Sequence, residues 1–160
     1  MEIPTERLRL VLQTPEQVRA MIAALGPADR AQVSPEWLAR ALAATVSDPW
    51  THSFAAIDRA TGEAVGSCAF KGPPTDGVVE IAYGIDPQHR GRGYATEAAE
   101  ALTRFALADD RVRLVRAHTL PEVSASTRVL TKCGFRHVGE VLDPEDGPVW
   151  RWERDRAKLS

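Results

Sequence analysis

The chain has 160 residues, a length that one hydrophobic core can serve, so a single domain over 1–160 without a linker is expected. Twenty Lys and Arg stand against twenty-two Asp and Glu, a net charge of -2 that gives no field favouring nucleic acid or an anionic membrane as partner. Residues 1–10 mix charges among the apolar positions, unlike a signal peptide, and no later run is long enough to span a bilayer, so a cytoplasmic protein is expected.

Residues 5–12 set Leu8, Leu10 and Leu12 against Arg7 and Arg9, the period of a half-buried strand. Thr14-Pro15-Glu16-Gln17 reads as a capping box with proline at the first helical position, and Val18, Ile22 and Leu25 carry that helix to Gly26-Pro27. Ser34-Pro35 opens a second helix, with Trp37, Leu38, Leu42 and Val46 expected inward, that stops before Asp48-Pro49. Residues 54–58, 64–70 and 78–85 then read as an antiparallel run of three strands, broken at Thr61-Gly62 and Gly72-Pro73-Pro74. An amphipathic helix is expected over 91–108, with Ala95, Ala98, Ala99, Leu102, Phe105 and Ala106 on one stripe. A strand over 114–119, a helix over 124–133 closed by Gly134, a strand over 135–141 and a hairpin arm over 148–154 after Asp146-Gly147 complete the chain. The order β-α-α-β-β-β-α-β-α-β-β predicts an α/β fold.

The segment from Ile85 to Glu97 joins a predicted strand to a predicted helix. The first amides of a helix have no intrahelical partner and the macrodipole there is positive, so Gly91 and Gly93 would let an anion reach the backbone, with Arg90 and Arg92 adding charge. A lone Gly-x-Gly serves more often as a turn that needs glycine dihedrals. A P-loop would need a Gly-Lys-Ser/Thr ending and a dinucleotide fold Gly-x-Gly-x-x-Gly, and neither is present.

Gln88-His89-Arg90-Gly91-Arg92-Gly93 resembles the Gln/Arg-x-x-Gly-x-Gly/Ala signature of the GNAT superfamily of N-acetyltransferases. Thr5-Glu6-Arg7-Leu8-Arg9-Leu10, Gly93-Tyr94-Ala95-Thr96-Glu97-Ala98 and the segment from Ser126 through Arg128, Val129, Leu130 and Lys132 to Gly134-Phe135 are similar to the subgroup that acetylates ribosomal-protein N-termini. The resemblance covers nearly the whole chain. It implies a mixed, mostly antiparallel central sheet of about seven strands flanked by about four helices, and acetyl-CoA as cosubstrate with no metal. It also implies a V-shaped splay between the strand ending at Ile85 and that at 114–119. The cofactor's arm would lie in the splay on Tyr83, Gly84 and Ile85, with an amide near Ile85 polarising the thioester. The loop made of Gln88, His89, Arg90, Gly91, Arg92, Gly93, Tyr94, Ala95 and Thr96 would hold the pyrophosphate.

Glu80 shares a strand face with the small residues Ala82 and Gly84, and burial there would help it take a proton from an ammonium. A solvated sheet-face carboxylate is the other reading, against which stands the match to a Glu at this point of the subgroup. Ser126 is the candidate for protonating the departing thiolate, although a hydroxyl early in a helix commonly binds backbone instead. Val123 stands where many relatives have an asparagine on the cofactor, and Leu130 where other branches have a tyrosine acid. Trp37, Trp50, Trp150 and Trp152 read as core, Arg111, Arg113 and Arg116 as a solvated loop and strand edge. Cys68 and Cys133 lie in apolar segments, and the four histidines form no metal-ligand spacing. The resulting expectation is an N-acetyltransferase, monomeric or homodimeric, whose acceptor is a protein N-terminus or a small amine. Loops 26–35, 72–77 and 143–148 would wall that acceptor. A non-catalytic acyl-CoA-binding module is the alternative of another class.

Overall fold

The structure, a computed structural model, describes residues 1–144 and 146–156. Its N-terminal end holds two strands where the sequence predicts one: Glu2–Pro4 (β1) and Leu8–Leu12 (β2) pair antiparallel through the turn at 5–7. Leu8, Leu10 and Leu12 are buried as the alternation requires. Three residues are too few to show a period, which is why β1 is silent in the sequence.

Thr14 caps helix α1 (Pro15–Ala24) with both halves of the capping box formed: its hydroxyl accepts from the Gln17 amide at 3.1 Å and the Gln17 side chain accepts from the Thr14 amide at 2.8 Å. A short α2 (Pro27–Ala31) occupies part of the expected loop. Helix α3 (Pro35–Ala43) ends earlier than predicted, because Ala44 turns extended with ψ 133. Trp37 and Leu38 do pack on Val18, Ile22 and Ala41, but Leu42 and Val46 are 45% and 72% exposed, correcting their expected inward placement.

Strands β3 (Phe54–Asp58), β4 (Ala64–Phe70), β5 (Val78–Ile85) and β6 (Leu114–Thr119) fall where the sequence places them, and β7 (Arg136–Asp143) and β8 (Gly147–Asp155) within two residues. The eight strands run in the order β1-β2-β3-β4-β5-β6-β8-β7, antiparallel throughout except for β5 beside β6. With α4 (Tyr94–Leu107) and α5 (Ala125–Lys132) there are five helices among the described residues, so β1 and α2 are what the expected seven strands and four helices lack.

Helix α4 presses Ala98, Ala99, Leu102 and Ala106 onto the sheet, and its small residues let helix and strands approach closely. Trp50, Phe54, Phe70 and Phe105 fill the space beside it, with the Trp50 and Phe70 ring centroids 4.7 Å apart. Each such large buried side chain contributes about 1.5–3 kcal/mol. Trp50 and Trp152 are core, as expected, whereas Trp37 and Trp150 sit half-buried at its edge. No described helix is long and apolar enough to cross a membrane.

The feature that shapes the molecule lies between β5 and β6. They pair only from Val78 to Glu80 against Leu114 to Arg116. Beyond Glu80, β5 stays with β4 as far as Ile85 and β6 stays with β8 as far as Thr119, so the sheet opens as a V.

Candidate active site

At the open end of the V, β5 leads through a 3₁₀ turn (Pro87–His89) into α4. Gly91 and Gly93 have φ of 79 and 83, left-handed values that L side chains rarely adopt. Gly93 is the N-cap of α4 and supplies no side-chain cap, so the first-turn amides and the positive helix end face outward.

A cavity of ≈ 600 Å³ lies between this loop and α5. Of the residues expected on the cofactor, Gln88 and Arg92 are exposed and do not border it; the other ten do, and so does Ser126. Arg90, Arg128 and Lys132 bring three cations to its walls against one carboxylate, Glu122. The Arg90 Nε donates to the Ile85 carbonyl at 3.1 Å, closing the loop onto the end of β5.

Several motif residues hold this loop in place. The Tyr94 hydroxyl donates to Asp58 Oδ2 at 2.5 Å; that bond, with amides of Thr61 and Ala60, holds the Asp58 carboxyl below the usual range and pushes the Tyr94 phenol up. His89 is buried, with Nε2 3.1 Å from Glu63 Oε1. Glu97 accepts from the Thr5 hydroxyl at 2.8 Å, the Arg7 amide at 3.0 Å and the Arg7 guanidinium. Burial opposes its charge, yet those three donors keep the Glu97 carboxyl low. Thr5, Arg7 and Glu97 are thus a buckle between the N-terminal turn and α4.

Across the V, Ser124 caps α5 with a capping box to Thr127, which leaves Ser126 free of the structural role expected of such a hydroxyl. Ser126 is exposed at the cavity, and its hydroxyl makes no hydrogen bond to the described residues; its carbonyl accepts from the Tyr83 phenol at 3.4 Å. Burial pushes the Tyr83 phenol up. Val123 is 78% exposed and borders a different cavity of ≈ 550 Å³ with Trp150, Trp152 and His137, while Leu130 is sealed in the core.

Glu80 stands at the crotch of the V, where β5 and β6 part. Its side chain is 24% exposed, neither sealed nor solvated, and opens on a separate cavity of ≈ 360 Å³ with Lys71, Thr75, Asp76 and Arg116. Of the three loops expected to wall the acceptor, 72–77 borders that cavity; loop 26–35 and the described residues of 143–148 do not border it, Glu145 lying outside the described residues. Glu80 Oε2 lies 3.2 Å from Lys71 Nζ and 3.1 Å from His118 Nδ1. Burial works against the Lys71 charge, but Glu80, Asp146 and Asp143 outweigh it and raise its pKa. Arg116, expected on a solvated edge, is instead half-buried and gives both Nε and Nη2 to Glu153. The sequence reading passes over Lys71 and His118, because only the β4–β5 turn and the short β5–β6 pairing bring them to Glu80.

Residues 5–136 match the acetyltransferase (GNAT) domain family. The chain belongs to the GNAT family. Among similar GNAT proteins, the uncharacterized N-acetyltransferase YjdG of Bacillus subtilis is 35% identical over 74 residues, 46% of this chain and 44% of that protein. The uncharacterized N-acetyltransferase p20 of Bacillus licheniformis is 29% identical over 93 residues, 58% of this chain and 52% of the other. The matched stretch therefore spans about half the length of these curated relatives. Among solved structures, RimL, a ribosomal-protein alpha-N-acetyltransferase in complex with coenzyme A, superposes with a TM-score of 0.71 at 16% identity over 97% of this chain and 98% of that one. The aminoglycoside acetyltransferase AAC(6')-Ib in complex with ribostamycin and coenzyme A gives 0.71 at 21% identity over 96% of both chains. At such identities these two establish the GNAT fold.

Proposed function

We propose that this GNAT protein is an N-acetyltransferase that moves the acetyl group of acetyl-CoA onto a primary amine by direct attack in a ternary complex. The observation that carries the reading is a V-shaped opening with an anion-ready cavity at its wide end and a carboxylate, Glu80, at its apex. The cavity suits acetyl-CoA: the uncapped start of α4 and Arg90 face the pyrophosphate, and the separated edge of β5 offers backbone groups at Tyr83 to Ile85 to the pantetheine arm. An amide near Ile85 would polarise the thioester carbonyl. Glu80 takes a proton from the acceptor ammonium, and the freed nitrogen bonds to the carbonyl carbon as the carbon–sulfur bond breaks. The sulfur leaves as thiolate and the acylated nitrogen sheds its second proton to become the amide; the thiolate is protonated by that proton, from solvent, or by the Ser126 hydroxyl, which then regains a proton from solvent.

The acceptor is a protein N-terminus or a small amine, since both a ribosomal-protein enzyme and an aminoglycoside enzyme share this fold. A non-catalytic acyl-CoA-binding role is the second reading, favoured by Val123 pointing away from the cavity. Calorimetric titration with acetyl-CoA tests the cofactor site: Arg90→Ala should weaken binding, and Arg92→Ala, which lies off the cavity, should weaken it less. Turnover is then screened with ribosomal-protein N-terminal peptides and with kanamycin. Glu80→Gln should lower kcat about 10²-fold or more at saturating acetyl-CoA. No binding by the wild type, or full activity in Glu80→Gln, sinks the reading.

A further inference from the structure

We propose that His118 is the positioning residue of the Glu80 carboxylate, an inference that rests on the reading of Glu80 as the base. The parallel pairing sets Glu80 beside Arg116, and His118 follows two residues on, on the same face of β6 at the point where the strands part. His118 is also cross-strand neighbour to Arg151 of β8. Its side chain is 13% exposed, so its ring nitrogens look chiefly to neighbouring side chains for partners.

Arg151 decides what the ring does. A guanidinium can only donate, and Arg151 Nε donates to His118 Nε2 at 3.1 Å. The Nε2 lone pair is therefore occupied, and the single proton of the neutral ring sits on Nδ1, 3.1 Å from Glu80 Oε2. With one nitrogen accepting from Arg151 and the other protonated, the ring has no free lone pair and cannot itself be the base. It can only donate to Glu80. The approach is too oblique for a formed hydrogen bond, which leaves Nδ1 a buried atom without a hydrogen-bond partner. A small turn of the carboxylate closes it, as catalytic hydrogen bonds commonly tighten when substrate binds.

The nearest approaches of His118 and Lys71 both fall on Oε2. Held from two sides there, the carboxylate presents Oε1 to the acceptor. The other charged groups facing the cluster are Arg116, already taken by Glu153, Asp143 and Asp146, which act on Lys71, and Asp76, which lines the same cavity.

Two measurements decide the matter. Long-range proton–nitrogen correlation of the imidazoles in the full-length protein should place the His118 proton on Nδ1, and Arg151→Ala should abolish that fixed tautomer. A proton on Nε2 in the wild type overturns the proposal whatever the acceptor. In turnover, with kanamycin or an N-terminal peptide as acceptor, His118→Ala should lower kcat about ten- to hundredfold while KM for acetyl-CoA stays within about twofold. His118→Asn, whose side-chain NH₂ takes the place of Nδ1–H, should restore most of the rate at an unchanged Tm. In a Glu80→Gln background, His118→Ala should add less than about twofold. If it multiplies in full on top of Glu80→Gln, the positioning role falls and the base stands; if Glu80→Gln is itself fully active, both fall.

Discussion

Gly66→Ala tests whether the seam between β4 and β5 is as tight as it looks. Gly66 pairs with Ile85, and a Cβ on it would lie 2.2 Å from the Gly84 carbonyl oxygen and 2.9 Å from Ile85 Cα. Both are backbone atoms and cannot swing aside, so the strands must part by about 1 Å to reach van der Waals contact. Overpacking of this kind costs about 3 kcal/mol, and the loss of glycine freedom in the unfolded chain offsets about 0.5–1 kcal/mol, leaving about 2 kcal/mol of destabilisation. For a domain of this size that is a Tm lower by about 4–8 °C. The same movement carries the Gly84–Ile85 peptide out of register with the thioester, and a 1 Å misplacement costs on the order of 10²-fold in rate. Calorimetric melting reads the first effect and turnover at saturating acetyl-CoA the second, with acetyl-CoA titration as a check on binding. Gly84→Ala is the control: nothing lies within 4 Å of a Cβ there, and the position borders the cavity. It should melt like the wild type while binding acetyl-CoA more weakly. A Gly66→Ala protein that melts within about 1 °C of the wild type refutes the reasoning.

Arg154 is 5% exposed and its Nη1 donates to Glu100 Oε2 and the Cys133 carbonyl, each at 2.7 Å. Removing it strands the buried Cys133 carbonyl, while Glu100 keeps Arg104 and solvent, so Arg154→Ala should cost about 2 kcal/mol in denaturant melts, less than breaking a fully buried pair. Burial pushes the Cys68 thiol up to about 12 and the Cys133 thiol up to about 11. A thiol-reactive dye should therefore label neither at pH 8 until the protein unfolds, and Cys→Ser at either should leave kcat within about twofold. His52 is sealed and accepts the Asp48 amide on Nδ1 at 2.8 Å; burial lowers its pKa. The unfolded chain then binds this proton at higher pH than the folded one, so its stabilisation is complete above pH about 6.5 and is lost as pH falls toward the lowered folded value. Tm should drop between pH 7 and 5 more in the wild type than in His52→Asn.

The sequence is most transparent where a short-range rule acts alone. The alternation of β2, the capping box at Thr14 and the glycine joint before α4 depend on neighbours within a few residues, and the structure has each of them. The expected burial of Val46 fails because Ala44, with nothing in its own identity to end a helix, turns extended before Val46 is reached, while Leu42 lies inside α3 and is 45% exposed beside the buried Ala41. At the site, the loop residues are legible as a motif, while their anchors are only half so: Glu97 belongs to a recognisable run, but its partners are Thr5 and Arg7, ninety residues away. His118 reads as one of four scattered histidines until β6 is laid beside β5. Gly66 gives no sign of its role, since close approach is a property of the pairing.

Eight strands laid in one row would ordinarily have two rims, β1 and β7. The early parting of β5 and β6 gives this sheet four, two of them on the inside, where half the backbone groups of Tyr83 to Ile85 and of Ala117 to Thr119 look into a gap. Unpaired rims elsewhere invite other chains to zip onto them. The β5 rim borders a cavity shared with the start of α4 and with α5, a space that suits a slender molecule carrying its own amides. Amide hydrogen exchange along the inner rims should therefore be the most sensitive footprint of a bound acyl carrier, fast in the free protein and slowed when the gap is bridged.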